Sequence, residues 1–226
     1  MWIKICATTN LQDALLAAEA GADAVGFVFA ESRRRVTVEE VARITLHLPA
    51  RIEKIGVFVD ASYDALVAAV ETAHLTGLQL HSVGEARLTA RLRERFGRGF
   101  RITQVVHYQQ GLEEQLRQVQ ADPAIDGVLI DSRTATLLGG TGQRYDWQAA
   151  SRSLANAASG LRLVVAGGLD PENVGEAIAT LHPWGVDVAS GVESALGKKD
   201  PEKVRAFVEN ARIAANRLQT SATVEV

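Results

Sequence analysis

One cysteine, Cys6, stands among 226 residues. An internal disulfide is excluded, and the chain suits a reducing compartment. An excess of one charge is also missing, because 24 Lys and Arg are set against 27 Asp and Glu for a formal net charge of -3. Basic and acidic residues are mixed along the chain, so it carries no footprint for nucleic acid. No apolar run approaches the ~20 residues that cross a bilayer. The N-terminus lacks the charged and apolar regions of a secretion signal. These absences predict a cytoplasmic protein with neither nucleic acid nor membrane as partner. No G-x-G-x-x-G follows the first apolar run, which disfavours an open dinucleotide-binding sheet. The five histidines are scattered, and no metal site is expected.

What is present is ordinary globular material, 47% hydrophobic and 23% charged, with enough length to bury a sizeable core. Short apolar runs recur as "WIKIC" (2–6), "AVGFVF" (24–29), "KIGVFV" (54–59), "LQL" (78–80), "RITQVV" (101–106), "GVLID" (127–131), "LRLVVA" (161–166) and "VDVAS" (186–190). Most are rich in Val and Ile and largely uninterrupted by charge, as expected of parallel strands covered on both faces. Amphipathic stretches with start signals alternate with them. Asp170-Pro171 and Asp200-Pro201 each place a capping side chain before a proline at the first helical position. Val174, Ala177, Ile178 and Leu181 then form one apolar stripe, as do Val204, Phe207, Val208 and Ala211. Thr37 and Glu40 form a capping box, and Asn10 precedes a helix carrying Leu11, Ala14, Leu15 and Ala18. Eight strand-helix units without a composition break predict a single α/β domain, a (β/α)8 TIM barrel over 1–218. The aperiodic end, 219–226, reads as a flexible tail.

In such a barrel reactive groups gather at the C-terminal ends of strands. That rule selects Cys6, Asp60, His81, His107, Asp131, Gly167-Gly168 and Ser190-Gly191, with the strand-two loop "AESRRRV". Taken alone, the cysteine is a rim nucleophile or base, or an inert core thiol. Asp131, closing an apolar run, is a site carboxylate, a helix cap or a partner for Arg133. Three small-residue clusters, "LLGGTG" (137–142), "VAGGLDPENV" (165–174) and "VASGVESALGKKD" (188–200), follow the last three strands. Their glycines either make tight turns or let backbone N–H groups converge on phosphate, with a short helix after strand eight aimed at it.

Together these stretches resemble the phosphoribosylanthranilate isomerase family of tryptophan biosynthesis, along nearly the whole chain to about residue 212. The resemblance rests on "KICATTN" (4–10), "GADAVGFVF" (21–29), "SRRRV" (32–36), "IGVFVD" (55–60), "LQLHS" (78–82), "VLIDS" (128–132), "GGTGQRYDW" (139–147), "AGGLDPENV" (166–174) and "VDVASGVES" (186–194). It implies a cofactor-free Amadori rearrangement of a small phosphorylated substrate. The ribose ring opens, an imine forms, and loss of the C2′ proton gives an enolamine that becomes a ketone. By position Asp131 is the general acid and Cys6 the general base. Arg34 would hold the anthranilate carboxylate as a two-pronged donor. Gly167, Gly168, Ser190 and Gly191 would hold the phosphate, with Gly140 and Gly142 shaping the neighbouring loop. Lys4 and His81 join the substrate-facing set. Lys4, on the same side of its strand as Cys6, is either a source of positive field or a buried residue satisfied by a carboxylate. His81 is a polar lining residue or a packed histidine. A free thiol titrates near ~8.5, so a base at Cys6 calls for a lowered pKa.

Two positions depart from the family, which commonly has glycine where Ala7 and Ser82 stand. A backbone needing φ > 0 at Ala7 would shift the first loop, and the Ser82 hydroxyl would narrow the pocket. The alternatives are a catalytically impaired phosphate-binding barrel kept as a scaffold, and another phosphosugar-processing barrel. Barrels of this size occur as a monomer or homodimer, and the sequence does not choose.

Overall fold

Eight apolar strands meet edge to edge in chain order and close on themselves. The computed structural model describes residues 1–82, 87–108, 111–131, 147–148, 151 and 160–224, with backbone alone for 221–224. The order is β1 (Trp2–Ile5), α1 (Leu11–Glu19), β2 (Ala24–Val28), α2 (Val38–Thr45), β3 (Glu53–Phe58), α3 (Tyr63–Thr72) and β4 (Gly77–Leu80). It continues with α4 (Leu88–Phe96), β5 (Arg101–His107), α5 (Leu112–Gln120), β6 (Gly127–Asp131), β7 (Arg162–Ala166), α6 (Val174–Leu181) and β8 (Gly185–Val188). A 3-10 turn (Ser190–Val192), the hairpin β9 (Glu193–Ala195) and β10 (Lys198–Lys199), and α7 (Pro201–Val224) complete it. Strands β1 to β8 form a closed parallel barrel, with β1 paired to both β2 and β8.

The start signals work as their chemistry requires. Asn10 accepts from Asp13 N at 2.9 Å, and Thr37 and Glu40 make both bonds of the capping box. Asp200 Oδ1 accepts from Glu202 N and Lys203 N at 2.9 and 3.1 Å. Asp170 does the same for Asn173 N at 2.9 Å, but on a leading turn, so α6 itself begins at Val174.

Two places depart from the sequence expectation. The stretch after β8 forms a 3-10 turn and a hairpin in place of a short helix. Helix α7 runs on to Val224, into the stretch read as an aperiodic tail, where neither glycine nor proline stops it. Residues 225–226 lie outside the described residues.

Alternation along each strand divides the core in two. Ile3 and Ile5 of β1 face the helices, within the large cluster that also takes in Phe27, Leu78, Ile130, Val165 and Phe207. Trp2, Ala24, Ile55, Val105, Leu129 and Val164 fill the barrel interior. At its N-terminal end Trp2 stacks on Trp184, and Arg101, paired to Glu53, lies over both rings. Trp2, Lys4 and Cys6 share one side of β1 by the two-residue period. Cys6 therefore emerges at the opposite end from the tryptophans.

The turn that follows Cys6 is strained. Ala7 has φ 57, the left-handed region that an L side chain occupies at a cost of roughly 1–2 kcal/mol. The loop keeps its anchors, since Cys6 N donates to Val188 O at 2.7 Å and Thr8 N to Gly26 O at 2.9 Å. Replacing Ala7 with glycine is expected to raise stability by about 1 kcal/mol. Chemical denaturation measures it, and a midpoint that stays or falls would show that the alanine is not strained.

Candidate active site

The rim opposite the tryptophans encloses a cleft of about 950 Å³, its open mouth included. Cys6 from the end of β1, Arg34 from the loop after β2, His81 after β4, Asp131 at the end of β6 and Gly167 after β7 all line it. Groups scattered along the whole chain thus meet at one mouth. Asp131 is buried, and the backbone carries it there, because β6 lies in register with both β5 and β7 along its whole length.

Lys4 is beneath the cleft, not on its wall. It is fully buried, and its ammonium donates to Asp187 Oδ1 and Gln79 Oε1, each at 2.8 Å. This corrects its reading as a substrate-facing residue: two partners that line the cleft, Gln79 and Asp187, hold the only charge it has beneath them. Burial would lower the ammonium pKa, but the Asp187 carboxylate beside it prevails and the pKa is raised. A methyl group on Gly26 would stand 2.8 Å from both Cys6 Sγ and Lys4 Cε, so thiol and lysine share the space that the missing side chain leaves.

The thiol does not have the lowered pKa that a base at Cys6 calls for. Burial raises the Cys6 pKa first, the Asp187 carboxylate raises it further, and Lys4 and Lys199 only partly offset them. These surroundings favour the thiol over the thiolate.

Arg34 also departs from the simplest reading. Its Nε and Nη2 donate to Glu193 Oε1 and Oε2 at 2.8 and 2.7 Å, a bidentate pair that ties the strand-two loop to β9. Glu193 lies 3.4 Å from Lys199 Nζ, which donates to Ala189 O at 3.0 Å. The fork expected to grip a ligand is filled by the protein on one edge. A planar guanidinium keeps a second pair of donors on its Nη1–Nη2 edge. The Glu193 pKa is lowered overall, burial raising it but Arg34 and Lys199 prevailing.

Gln79 Nε2 lies 3.2 Å from His81 Nε2, so His81 is a polar lining residue and not a packed one. The ring of His107 is 6.1 Å away between centroids, and its buried Nδ1 has no partner among the described residues. Ser82 does not narrow the pocket, because its hydroxyl accepts from Asp60 N at 3.0 Å and joins two loops. Gly168, Ser190 and Gly191 follow Gly167 and Ala189 of the cleft wall in the loops after β7 and β8. A methyl group on Gly191 would stand 1.9 Å from the Leu169 carbonyl oxygen, so these loops touch backbone to backbone. Gly140 and Gly142 lie outside the described residues. Among the described residues no cluster of three or more His, Cys, Asp or Glu could hold a metal, and no helix is long and apolar enough to cross a membrane.

Residues 3–210 match the model of the N-(5'-phosphoribosyl)anthranilate isomerase family. The chain belongs to this family. An isomerase of that name from Geobacter sp. (strain M21) is 42% identical over 211 residues, which span 93% of this chain and 97% of that one. The crystal structure of the phosphoribosyl anthranilate isomerase of Thermotoga maritima superposes with a TM-score of 0.82 at 35% identity, covering 94% of this chain and 98% of that one. A structure of the isomerase in complex with reduced 1-(o-carboxyphenylamino)-1-deoxyribulose 5-phosphate superposes at 0.78 with 33% identity, covering 94% and 98%.

Four residues of the site escaped the sequence reading: Gln79, Asp187, Glu193 and Lys199. A signal existed for one pair, since Lys4 and Asp187 are opposite charges inside apolar strands that become neighbours when the barrel closes. The shift at Cys6 makes a test. A folded-state pKa raised above the unfolded one favours the thiol, so alkylation of native Cys6 by iodoacetamide should rise only above about pH 8.5, the ordinary thiol value. The same shift contributes stability that is whole below the unfolded thiol value and lost as pH climbs through the folded one. An alkylation midpoint at or below the ordinary value would reverse the assignment.

Proposed function

We propose that this protein converts N-(5'-phosphoribosyl)anthranilate to 1-(o-carboxyphenylamino)-1-deoxyribulose 5-phosphate, with Asp131 as general acid and Cys6 as general base. The observation that carries the reading is that Cys6 and Asp131, remote in sequence, line the same cleft beside the loops after β7 and β8. Membership of the isomerase family supports the reaction class.

The proton inventory fits the rearrangement. Opening the ribose ring requires a proton on the ring oxygen, which Asp131 donates. Nitrogen lone-pair donation then gives a cationic imine. Its positive charge makes the C2′ proton acidic and favours a thiolate beside it. Cys6 takes that proton as thiolate, so its own proton must leave first. The proton that Asp131 gives to the ring oxygen and the proton that Cys6 takes from C2′ balance, so the pair ends the rearrangement with as many protons as it began. Loss of the C2′ proton leaves the enolamine, which becomes the ketone.

Arg34 offers its free edge to the anthranilate carboxylate while Glu193 holds the other edge and fixes the plane of the guanidinium. The phosphate belongs at the paired loops that carry Gly167, Gly168, Ser190 and Gly191. A cytoplasmic location is part of the proposal, supported by the lone reduced cysteine.

Cys6→Ala should lower kcat by about 10²–10⁴-fold with KM within a few-fold, and Asp131→Asn should do likewise. Steady-state assays and rescue of a tryptophan auxotroph lacking this isomerase measure it. A folded Cys6→Ala protein with near-normal kcat would take the thiol out of the chemistry. An active Asp131→Asn protein would reassign the acid.

A further inference from the structure

The polar groups inside the barrel form one directed chain. Asp187 accepts from Lys4, Lys4 donates to Gln79, and Gln79 meets His81 at the cleft wall. Direction follows from what each group carries. An ammonium has donors only, so the atom of Gln79 at 2.8 Å from Lys4 Nζ is its carbonyl oxygen. The amide nitrogen is then turned to His81, 3.2 Å from its Nε2. An amide nitrogen donates and does not accept, so Nε2 must offer a lone pair. A proton on Nε2 would set two donors against each other in a place where Gln79 is 5% exposed and its carbonyl is already held.

We infer that Gln79 is a positioning residue that fixes His81 as the neutral tautomer protonated on Nδ1. The ring of His107, on the adjacent strand, lies 6.1 Å away between centroids, and Asp131 lines the same cleft. The choice is made on the side of the ring that meets Gln79. His81 is thereby confined to hydrogen bonding and takes no proton at Nε2, which leaves acid-base exchange to the thiol and carboxylate of the proposed function. The role in the reaction rests on that proposal; the tautomer itself does not.

Nitrogen-15 NMR of the ligand-free protein at about pH 8, above the ordinary imidazole value, tests this. Signals that vanish in His81→Gln assign the residue. The expected pattern is a pyridine-like shift at Nε2 and a pyrrole-like shift at Nδ1. In Gln79→Glu one carboxylate oxygen still accepts from Lys4 while the other is an acceptor beside His81, so the proton should move to Nε2 and the two shifts should exchange. A purely structural Gln79 would leave the pattern unmoved. A pyrrole-like Nε2 in the unaltered protein, or an unchanged pattern in folded Gln79→Glu, overturns the inference. Should Gln79→Glu fail to fold, the spectrum of the unaltered protein decides alone.

Discussion

A lysine and an aspartate buried side by side inside the barrel underlie everything above them. Lys4 and Asp187 occupy paired positions on β1 and β8, the seam at which the sheet closes. Two charges withdrawn from water are costly, and their mutual attraction compensates only where geometry is good and the remaining polar valences are filled. Here Gln79 fills one, so three strands far apart in sequence share a single polar layer. Removal of either charge would leave the other buried and uncompensated, a loss of roughly 3–5 kcal/mol. The layer separates two different interiors. Below it the tryptophans and stacked guanidinium make an inert plug, and above it lies the cleft with Cys6 at its edge.

A second cation-carboxylate group borders the same thiol. Arg34, Glu193 and Lys199, with Lys4 and Asp187, make three cations and two carboxylates, an excess of one positive charge near Cys6. That excess is not enough to ionise the thiol, because burial and Asp187 outweigh it. It leaves the cleft attractive to an anion while the thiol remains favoured over the thiolate. Glu193 belongs to this balance. Without it the guanidinium would carry more charge toward a ligand but could swing, and carboxylate recognition by a planar fork depends on orientation as much as on charge.

Strand count, order and closure were legible in the sequence because each follows from local pattern: Val- and Ile-rich runs with few charges, helix starts marked by Asn10, Thr37 and Asp200, and glycines after the late strands. The rim position of Cys6 and Asp131 was legible for the same reason, since strand ends are set by that pattern. The partners of Lys4 and Arg34 were not. Asp187 and Glu193 sit in stretches whose glycines drew the reading toward phosphate, and nothing local tells which carboxylate a lysine will meet across a closed barrel. The sign of the thiol shift was not legible for a related reason, as burial and an unseen carboxylate set it. Ser82 had a visible hydroxyl whose partner, the Asp60 backbone, depends on how two loops pack.

Gly191 joins the two kinds of information. Its sequence context suggests backbone amides gathered around an anion, while the structure gives it a steric duty, because any side chain there would enter the Leu169 carbonyl. These are one requirement seen twice. Amides from the loops after β7 and β8 converge on a common ligand only where the loops themselves approach within van der Waals distance. That approach needs a residue with no Cβ at the point of contact. The strained Ala7 follows the same logic in reverse, since β1 must end sharply if the thiol is to face the cleft, and the hydrogen bonds of its neighbours to β2 and β8 hold a turn that an alanine alone would not choose. Rigid strands thus set where the site is, and a few backbone positions at their ends determine whether its parts can meet.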